Sequence, residues 1–295
     1  MRFTWIVDVE NTTLKKFLNK QGVSRRLLAK IKYQGGTLLV NKQVRNSTFE
    51  VKEGDSVTII IPDEGEHETM LPYESTLDII YEDEHLLVVN KPTEVASIPS
   101  QYHKTGTMAN YVKHYYNQQD YDNRIIHVVT RLDRDTTGLM MFAKHGFSHA
   151  MMDKQLQSGE MKKYYSAIVG GDLSRLKEEE TIDLRIGRDE SSIIKRTVVE
   201  EGGQHAITDY KLIEKTDETA QVDVQLHTGR THQIRVHFQG IGCPLIGDEL
   251  YGGNIDKGIN RQALHCKRLE FLHPFTGEQI VLTAPLPEDM QELLS

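Results

Sequence analysis

The segment at residues 130–138 contains the side chains of this sequence that are most able to do chemistry. Its order is Thr-Arg-Leu-Asp-Arg-Asp-Thr-Thr-Gly, so two arginines, two carboxylates and several hydroxyls precede a glycine. Asp133 lies between Arg131 and Arg134, whose positive charges would keep its carboxylate ionised. An ionised carboxylate can act as a nucleophile or accept a proton. The alternative interpretation is a solvated cluster of ion pairs, which would add little stability.

Two short apolar runs flank this segment and are predicted to hold it in place. Residues 125–129 precede it and residues 139–143 follow it, and both runs contain β-branched or aromatic side chains. Short, bounded runs of this kind predict strands. A loop between two buried strands is a common location for reactive groups. We therefore expect residues 130–138 to form a loop that a rigid scaffold holds.

The pattern Arg-Leu-Asp-x-x-Thr-x-Gly, followed by an apolar strand and Ala-Lys, resembles the signature of the RluA family of pseudouridine synthases. The resemblance implies that Asp133 is the catalytic aspartate. Thr130 stands where the family usually has histidine. The Asn-Lys-Pro at residues 90–92 resembles the start of a family loop that enters the active site. In that loop Glu94 replaces a usual glycine and Ile98 a usual histidine.

A second matching segment lies at residues 163–170, where alternating side chains predict a strand. Its Lys-x-Tyr-x-Ala pattern matches the family, and the resemblance implies that Tyr165 is the active-site tyrosine. Such a tyrosine could stack on a base or relay a proton. Without the resemblance, a half-buried core tyrosine is an equally good interpretation.

The third segment, residues 226–237, matches the family pattern Thr-Gly-Arg-Thr-His-Gln-Ile-Arg-Val-His throughout. The match implies that Arg235 pairs with the catalytic aspartate and that Arg230 lies near the substrate. Leu264, in the closing strands, would pack near the uracil. Leu264 and Ile234 are expected to wall the site against water. Arg131 is a candidate to fill the space of a flipped base or to clamp the neighbouring phosphate.

Neither a metal nor a nucleotide cofactor is expected. The histidines at positions 227, 232 and 237 are five residues apart, which separates neighbours on either a strand or a helix. The glycine-rich residues 242–253 lack the GxGxxG and Walker patterns. Pseudouridine formation neither oxidises nor reduces its substrate and spends no phosphate, so it needs no cofactor.

Two rival functions remain open from the residues. A glycosidase could use Asp133 and Asp135, although two carboxylates so close in one loop do not suit an acid and a base across a sugar. A non-catalytic RNA-binding assembly factor would use the same fold only as a clamp. The presence of Asp133, Tyr165 and Arg235 together argues against the second rival.

The charge is divided unevenly along the chain. The 295 residues carry a net charge of −8, yet residues 1–61 hold 11 Lys and Arg against 5 Asp and Glu, a net charge of +6. The remainder carries −14. A basic module ahead of an acidic body predicts a local contact with phosphate.

Residues 12–32 predict two short helices, the second capped by Ser24. With the β-turn unit that follows, they resemble the RNA-binding domain first described in ribosomal protein S4. Arg25, Arg26 and Lys30 would then face phosphate; the alternative is a solvated basic face. We predict this domain at residues 1–61, an acidic linker kept extended by repulsion at residues 62–74, and a catalytic domain at residues 75–295.

The predicted fold is α+β. A mixed, mostly antiparallel sheet would carry a central cleft, preceded by a small αβ RNA-binding domain. The expected substrate is 23S ribosomal RNA, with transfer RNA as the alternative. Two unpaired cysteines, the absence of an apolar leader and the absence of long apolar runs predict a cytoplasmic protein with no membrane contact. A monomer is expected.

Overall fold

The computed structural model describes residues 1–66, 69–101 and 103–294. The N-terminal residues form a four-stranded sheet in the order β1-β6-β3-β4, with two helices and a separate two-stranded pair, β2 and β5. As predicted, Ser24 caps the second helix, because its Oγ accepts the N–H of Leu27 at 3.1 Å. The elements are β1 Arg2–Ile6, β2 Thr12–Thr13, α1 Leu14–Lys20, α2 Arg25–Tyr33, β3 Thr37–Val40, β4 Gln43–Val44, β5 Glu50–Val51 and β6 Ser56–Ile60.

The rest of the described chain is built on one ten-stranded sheet. Eight strands follow the order β12-β15-β16-β11-β17-β10-β8-β7, with β18 beside β17 and β9 beside β10. Its strands are β7 Ile79–Glu82, β8 Leu86–Lys91, β9 His127–Val128, β10 Thr137–Ala143, β11 Lys162–Val169, β12 Glu179–Asp183, β15 Ile207–Lys215, β16 Ala220–Leu226, β17 Leu264–Leu272 and β18 Gln279–Thr283. A hairpin of β13 Arg185–Arg188 and β14 Arg196–Val199 stands outside the sheet.

Helices and short 3₁₀ segments complete this body. Thr107 begins the first of these helices with a capping box. None of the helices among the described residues is long and apolar enough to cross a membrane. The helices are α3 Met108–Gln118, α4 Gly146–Ser158, α5 Gln233–Gly240 and α6 Glu288–Gln291, with 3₁₀ segments at Leu173–Arg175, Glu249–Tyr251 and Glu292–Leu294.

The sheet is mixed and mostly antiparallel, as predicted. Among the described strands, only β10 and β17 pair in parallel. Strand β10 is buried along its whole length and forms the centre of the core. Its neighbour β9 is shorter than the predicted run at residues 125–129. The N–H groups of Val129 and Thr130 both donate to the carbonyl of Met141, so the regular pairing of β9 with β10 ends before Val129.

Residues 175–205 are rich in charged side chains, yet they form ordered β-structure. They contain β12, which forms an edge of the main sheet by pairing with β15, and both strands of the β13–β14 hairpin. Within this charged segment, two strands each have a buried apolar side chain, Ile182 in β12 and Ile186 in β13. One such side chain is enough to determine which face of its strand packs against the protein.

The acidic stretch after residue 61 is bound to the rest of the protein near its first residues. The carboxylate of Glu64 accepts hydrogen bonds from Lys30 at 3.0 Å, from His127 at 2.7 Å and from the N–H of Gly146 at 3.0 Å. It therefore joins α2 to β9 and to the first turn of α4. His67 and Glu68, within the same stretch, lie outside the described residues.

An aromatic contact reinforces this junction. The ring of Phe3 stacks on Phe275 with centroids 4.9 Å apart and meets the edge of Phe147 at 5.1 Å. Phe147 belongs to the same buried cluster as the N-terminal core. The N-terminal unit is thus packed against the body rather than held only by its linker.

We predict that Glu64→Gln will destabilise the protein by about 1.5–3 kcal/mol, the contribution of hydrogen bonds to a charged group. Burial alone would raise the pKa of Glu64, but the hydrogen bonds from His127 and Lys30 outweigh it and lower the pKa to about 2. Because the pKa of Glu64 is lower in the folded state, its ionised carboxylate stabilises the fold when the pH is above about 4.5, the normal pKa of the group. This stabilisation is lost as the pH falls towards 2. Urea unfolding at pH 6 and pH 3 measures it.

The difference between wild type and Glu64→Gln should be large at pH 6 and smaller at pH 3. Asp63→Asn is the matched control, because the neighbouring Asp63 side chain is 65% exposed and should contribute little. Equal stability of Glu64→Gln and wild type at pH 6 would contradict the assignment.

Candidate active site

The loop that carries Asp133 is fixed from both sides. Ser97, buried in the preceding loop, accepts the N–H of Leu132 at 3.0 Å and donates to its carbonyl at 2.6 Å. Lys91 is fully buried at the end of β8, and its ammonium donates to the carbonyl of Arg134 at 2.7 Å. The backbone on each side of Asp133 is therefore held by a buried polar group.

Arg235 connects Asp133 to a second carboxylate. Its Nε and Nη2 donate to the two oxygens of Asp248 at 2.7 and 2.8 Å, and its Nη1 donates to Oδ2 of Asp133 at 3.2 Å. Burial would lower the pKa of Arg235, but the hydrogen bonds and charges of the two carboxylates raise it above its usual value. The guanidinium thus stays charged between two anions, of which Asp248 is almost wholly buried.

Asp133 opens into a cleft of about 650 Å³ that contains every predicted catalytic and substrate-binding residue. Tyr165, Ile234 and Leu264 are buried and supply its apolar wall. Burial raises the pKa of Tyr165 well above its usual value, so its phenol stays protonated. An apolar wall beside an anchored carboxylate suits a flat, uncharged ring next to a reacting bond.

Two arginines stand at the rim of the same cleft. Arg131 is exposed and stands two residues before Asp133 in sequence. Arg230 is half-buried, and its Nε donates to the carbonyl of His205 at 2.9 Å, which leaves its other nitrogens for a ligand. Both side chains are therefore placed at the rim, where they could bind the anionic part of a ligand that extends out of the cleft.

Asp135 takes no part in this arrangement. It does not line the cleft, and its side chain lies 3.8 Å from that of Arg134. Its carbonyl accepts from Arg261, as expected for a turn residue. The pair of carboxylates that a glycosidase needs is therefore not brought together across the cleft.

The predicted phosphate-binding residues lie outside the cleft, on α2. Arg25 and Arg26 are exposed. Lys30 was expected to face phosphate, but its ammonium forms an ion pair with the carboxylate of Glu64 at 3.0 Å. The Glu64 side chain is only 12% exposed, so this pair directs Lys30 towards the protein. The exposed positive charges of this helix are thus those of Arg25 and Arg26 in its first turn and of Lys32 in its last turn.

The three spaced histidines have separate surroundings. His227 pairs with Asp209, and the ring of His237 faces the carbonyl of Leu184 at 3.2 Å, while His232 lies near Asp133. Within the described ranges, no group of three or more His, Cys, Asp or Glu side chains could hold a metal ion.

Sequence reasoning assigned no role to Asp248, His232 and Tyr251, which surround Arg235. Nε2 of His232 lies 3.9 Å from Oδ2 of Asp133, and the ring of Tyr251 lies 4.9 Å from the Arg235 guanidinium carbon. His232 lies in the segment at residues 226–237 that matches the family pattern, and the spacing Asp-x-x-Tyr before a glycine was the available signal for Asp248 and Tyr251. The pairing itself is visible only in three dimensions.

Gly138 allows the loop to reach its position. Its φ is +108°, and a Cβ there would lie 2.3 Å from the carbonyl oxygen of Cys266. Here β10 runs parallel to β17, and the two backbones approach too closely for a side chain. The glycine that ends the 130–138 segment is therefore required by packing as well as by its turn.

A family model described as RNA pseudouridylate synthase matches residues 85–240, more than half of the chain. The chain is 44% identical over 282 residues to the uncharacterized RNA pseudouridine synthase YjbO of Bacillus subtilis (strain 168), covering 96% of this chain and 98% of the relative. It is 37% identical to ribosomal large subunit pseudouridine synthase D of Pseudomonas aeruginosa, covering 88% and 83%. The structure of human RNA pseudouridylate synthase domain containing 4 shares the fold, with a TM-score of 0.59, 23% identity and coverage of 73% and 91%.

We predict that Gly138→Ala will cost about 2–5 kcal/mol, the combined effect of left-handed strain and overpacking. The matched control is Gly159→Ala, where φ is +77° but the added Cβ would meet nothing within 4 Å. That control should lose only about 1–2 kcal/mol, from strain alone. Chemical unfolding of both variants measures the difference, and equal losses would show that the close approach to β17 is unimportant.

Proposed function

The chain belongs to the RluA family of RNA pseudouridine synthases, and from this premise we propose that it isomerises a uridine of 23S ribosomal RNA with Asp133 as the catalytic carboxylate. One observation carries the assignment of the site. Asp133 is held by Arg235 at the side of a cleft whose wall is formed by Tyr165, Ile234 and Leu264. A charged carboxylate, a fixed arginine and an apolar wall are the groups that this isomerisation requires.

The reaction rearranges one base without any exchange of electrons. The bond between N1 of uracil and C1′ of ribose breaks, the base turns, and a bond forms between C5 and C1′. Overall, one proton leaves C5 and one is gained at N1. Asp133 supplies the negative charge at the sugar, where it can attack the electron-poor carbon, stabilise it or remove a ribose proton. Arg235 keeps the carboxylate oriented throughout.

The cleft walls hold the detached base and exclude water. The neutral ring of Tyr165 stacks on the uracil, and Ile234 and Leu264 complete the apolar wall around it. Water at this stage would hydrolyse the sugar and end the isomerisation. Arg131 fills the space that the flipped uridine leaves or clamps its neighbouring phosphate, and Arg230 contacts the substrate backbone.

The N-terminal unit is proposed as an S4-type RNA-binding domain covering residues 1–61, joined through residues 62–74 to a catalytic domain at residues 75–295. Its net charge of +6 and the exposed Arg25 and Arg26 support a phosphate contact. Lys30 adds charge to the same helix, although its ammonium is committed to Glu64.

The 23S ribosomal RNA is proposed because a large folded RNA can contact both the cleft and this second basic surface. The name of the Pseudomonas aeruginosa relative, a ribosomal large subunit synthase, supports the same substrate. The target would lie in a hairpin loop or another unpaired region, where flipping costs little. We propose that the protein acts as a monomer in the cytoplasm, where this RNA is made.

The direct experiment maps pseudouridines in total RNA from cells that lack the protein and carry wild type, Asp133→Asn or Asp135→Asn in its place. We predict that a site in 23S ribosomal RNA is lost on deletion and restored by wild type. Asp133→Asn keeps the shape and removes the charge, so it should fail to restore the site, with activity reduced at least about 1,000-fold. Asp135→Asn is the matched control and should restore it.

Two results would separate the parts of this proposal. Loss confined to transfer-RNA sites would reject the 23S substrate and leave the catalytic assignment intact. Near-normal modification by Asp133→Asn would reject Asp133 as the catalytic carboxylate.

We also predict that replacing Arg25 and Arg26 together by alanine weakens RNA binding without changing the bound turnover rate. Each lost phosphate contact should reduce the slope of log affinity against log salt by about 0.7–0.9. Affinity for 23S ribosomal RNA at several salt concentrations measures it. A double variant at Arg175 and Lys177 is the control, since both are exposed and already paired with carboxylates. An unchanged slope in the Arg25 and Arg26 variant would contradict the RNA-binding role.

A further inference from the structure

Both polar contacts on the carboxylate of Asp133 fall on the same oxygen. Nη1 of Arg235 lies 3.2 Å from Oδ2, and Nε2 of His232 lies 3.9 Å from Oδ2. Within residues 1–66, 69–101 and 103–294, no hydrogen bond is made to Oδ1. The side chain is 27% exposed towards the cleft. The protein thus holds one oxygen and leaves the other accessible.

The orientation of the His232 ring is set by Tyr251. The phenol oxygen accepts the backbone N–H of Arg196 at 3.0 Å and lies 2.8 Å from Nδ1 of His232. Its own proton is then available for Nδ1, so the neutral ring carries its proton on Nε2, facing Asp133. The reverse tautomer would turn the Nε2 lone pair towards a carboxylate, which is electrostatically unfavourable.

The charged groups around His232 and Asp133 maintain this arrangement. Burial lowers the pKa of His232. The negative charge of Asp133 opposes this shift and the positive charge of Arg235 reinforces it, and Asp248 and Arg196 are the further charged neighbours. Burial also raises the pKa of Tyr251 above its usual value, so the phenol keeps the proton that it donates.

His232 adopts an unusual backbone conformation to reach this position. It is the residue before α5, with a φ of +57°, and α5 also carries Arg235. A left-handed non-glycine residue is strained and persists only where its surroundings determine it, most often at functional sites. Catalytic hydrogen bonds are also commonly long without substrate and shorten in the bound complex.

We propose that Tyr251 and His232 are positioning residues for the isomerisation: Tyr251 fixes the ring of His232, and Nε2–H of His232 together with Arg235 holds Oδ2 of Asp133, so that Oδ1 faces the substrate. This role rests on the proposed function of Asp133. Tyr251 and Asp248 lie three residues apart, so the same turn positions the Asp133 carboxylate in two ways. Tyr251 acts through His232, and Asp248 acts through Arg235.

The test uses the full-length protein and RNA extracted from cells that lack it. Tyr251→Phe removes only the hydroxyl, and His232→Asn removes the ring while keeping a residue type suited to the left-handed backbone. Single-turnover rates at saturating protein should fall by about 10-fold or more in each variant, with RNA affinity within about twofold of wild type. The double variant should be no slower than the slower single variant, because the two residues act in series.

Tyr210→Phe is the matched control. Tyr210 is 3% exposed, as is Tyr251, and its hydroxyl likewise accepts a backbone N–H, from Lys177 at 3.1 Å. Tyr210 does not line the cleft. This variant should lose similar thermal stability and keep the wild-type rate, which separates positioning from a merely structural effect.

Wild-type rates in Tyr251→Phe and His232→Asn, an additive double variant, or an equal loss of rate in Tyr210→Phe would overturn the proposal. Either single variant decides the result if the other does not fold. Asp133→Asn is measured in the same assay. A fast Asp133→Asn would reject the proposed function itself, whereas an inactive Asp133→Asn beside normal Tyr251→Phe and His232→Asn would reject this inference alone.

Discussion

Arg235 is shared between two carboxylates, and the organisation of the site depends on that sharing. Two of its nitrogens are occupied by the buried Asp248, so a third points at Asp133. Removing one partner from a buried charged pair costs about 3–5 kcal/mol, because the other charge is left unpaired. The three residues come from a loop, a helix and a turn, and Asp133 is 102 residues away from Arg235 in sequence. The fold must therefore bring these three segments together before Asp133 can be oriented.

The central strands bring the remaining groups to the same place. β11, β17 and β10 are neighbours, so Tyr165, Leu264 and the loop before β10 meet at one cleft. The parallel contact between β10 and β17 is close enough that only glycine fits at Gly138. The rigid sheet thus supplies Tyr165 and Leu264 of the apolar wall, α5 adds Ile234 and Arg235, and the loop before β10 supplies Asp133. This division suits a reaction that needs a dry pocket beside a fixed anion.

Local patterns in the sequence predicted much of this arrangement. The cap at Ser24 and the central strand followed from spacing and residue type. The mixed, mostly antiparallel sheet followed from the order of strands and turns together with the family resemblance, and the motif around Asp133 identified the family. What sequence could not provide were contacts between distant charged residues. Glu64 looked like one carboxylate in a repelling run, yet it is buried by partners from three elements. The pairing of Asp248 with Arg235 is likewise visible only once the fold brings α5 beside the turn that contains Asp248.

A crystal structure of the protein bound to RNA that contains its product pseudouridine would show directly how Asp133 is oriented. We predict that Oδ1 of Asp133 is the carboxylate oxygen closest to C1′, with Oδ2 still held by Arg235 and Arg235 still bound to Asp248. The base should lie against Tyr165. A product ribose closer to Oδ2, or an Arg235 that has left Asp248 to bind RNA, would contradict this orientation of Asp133.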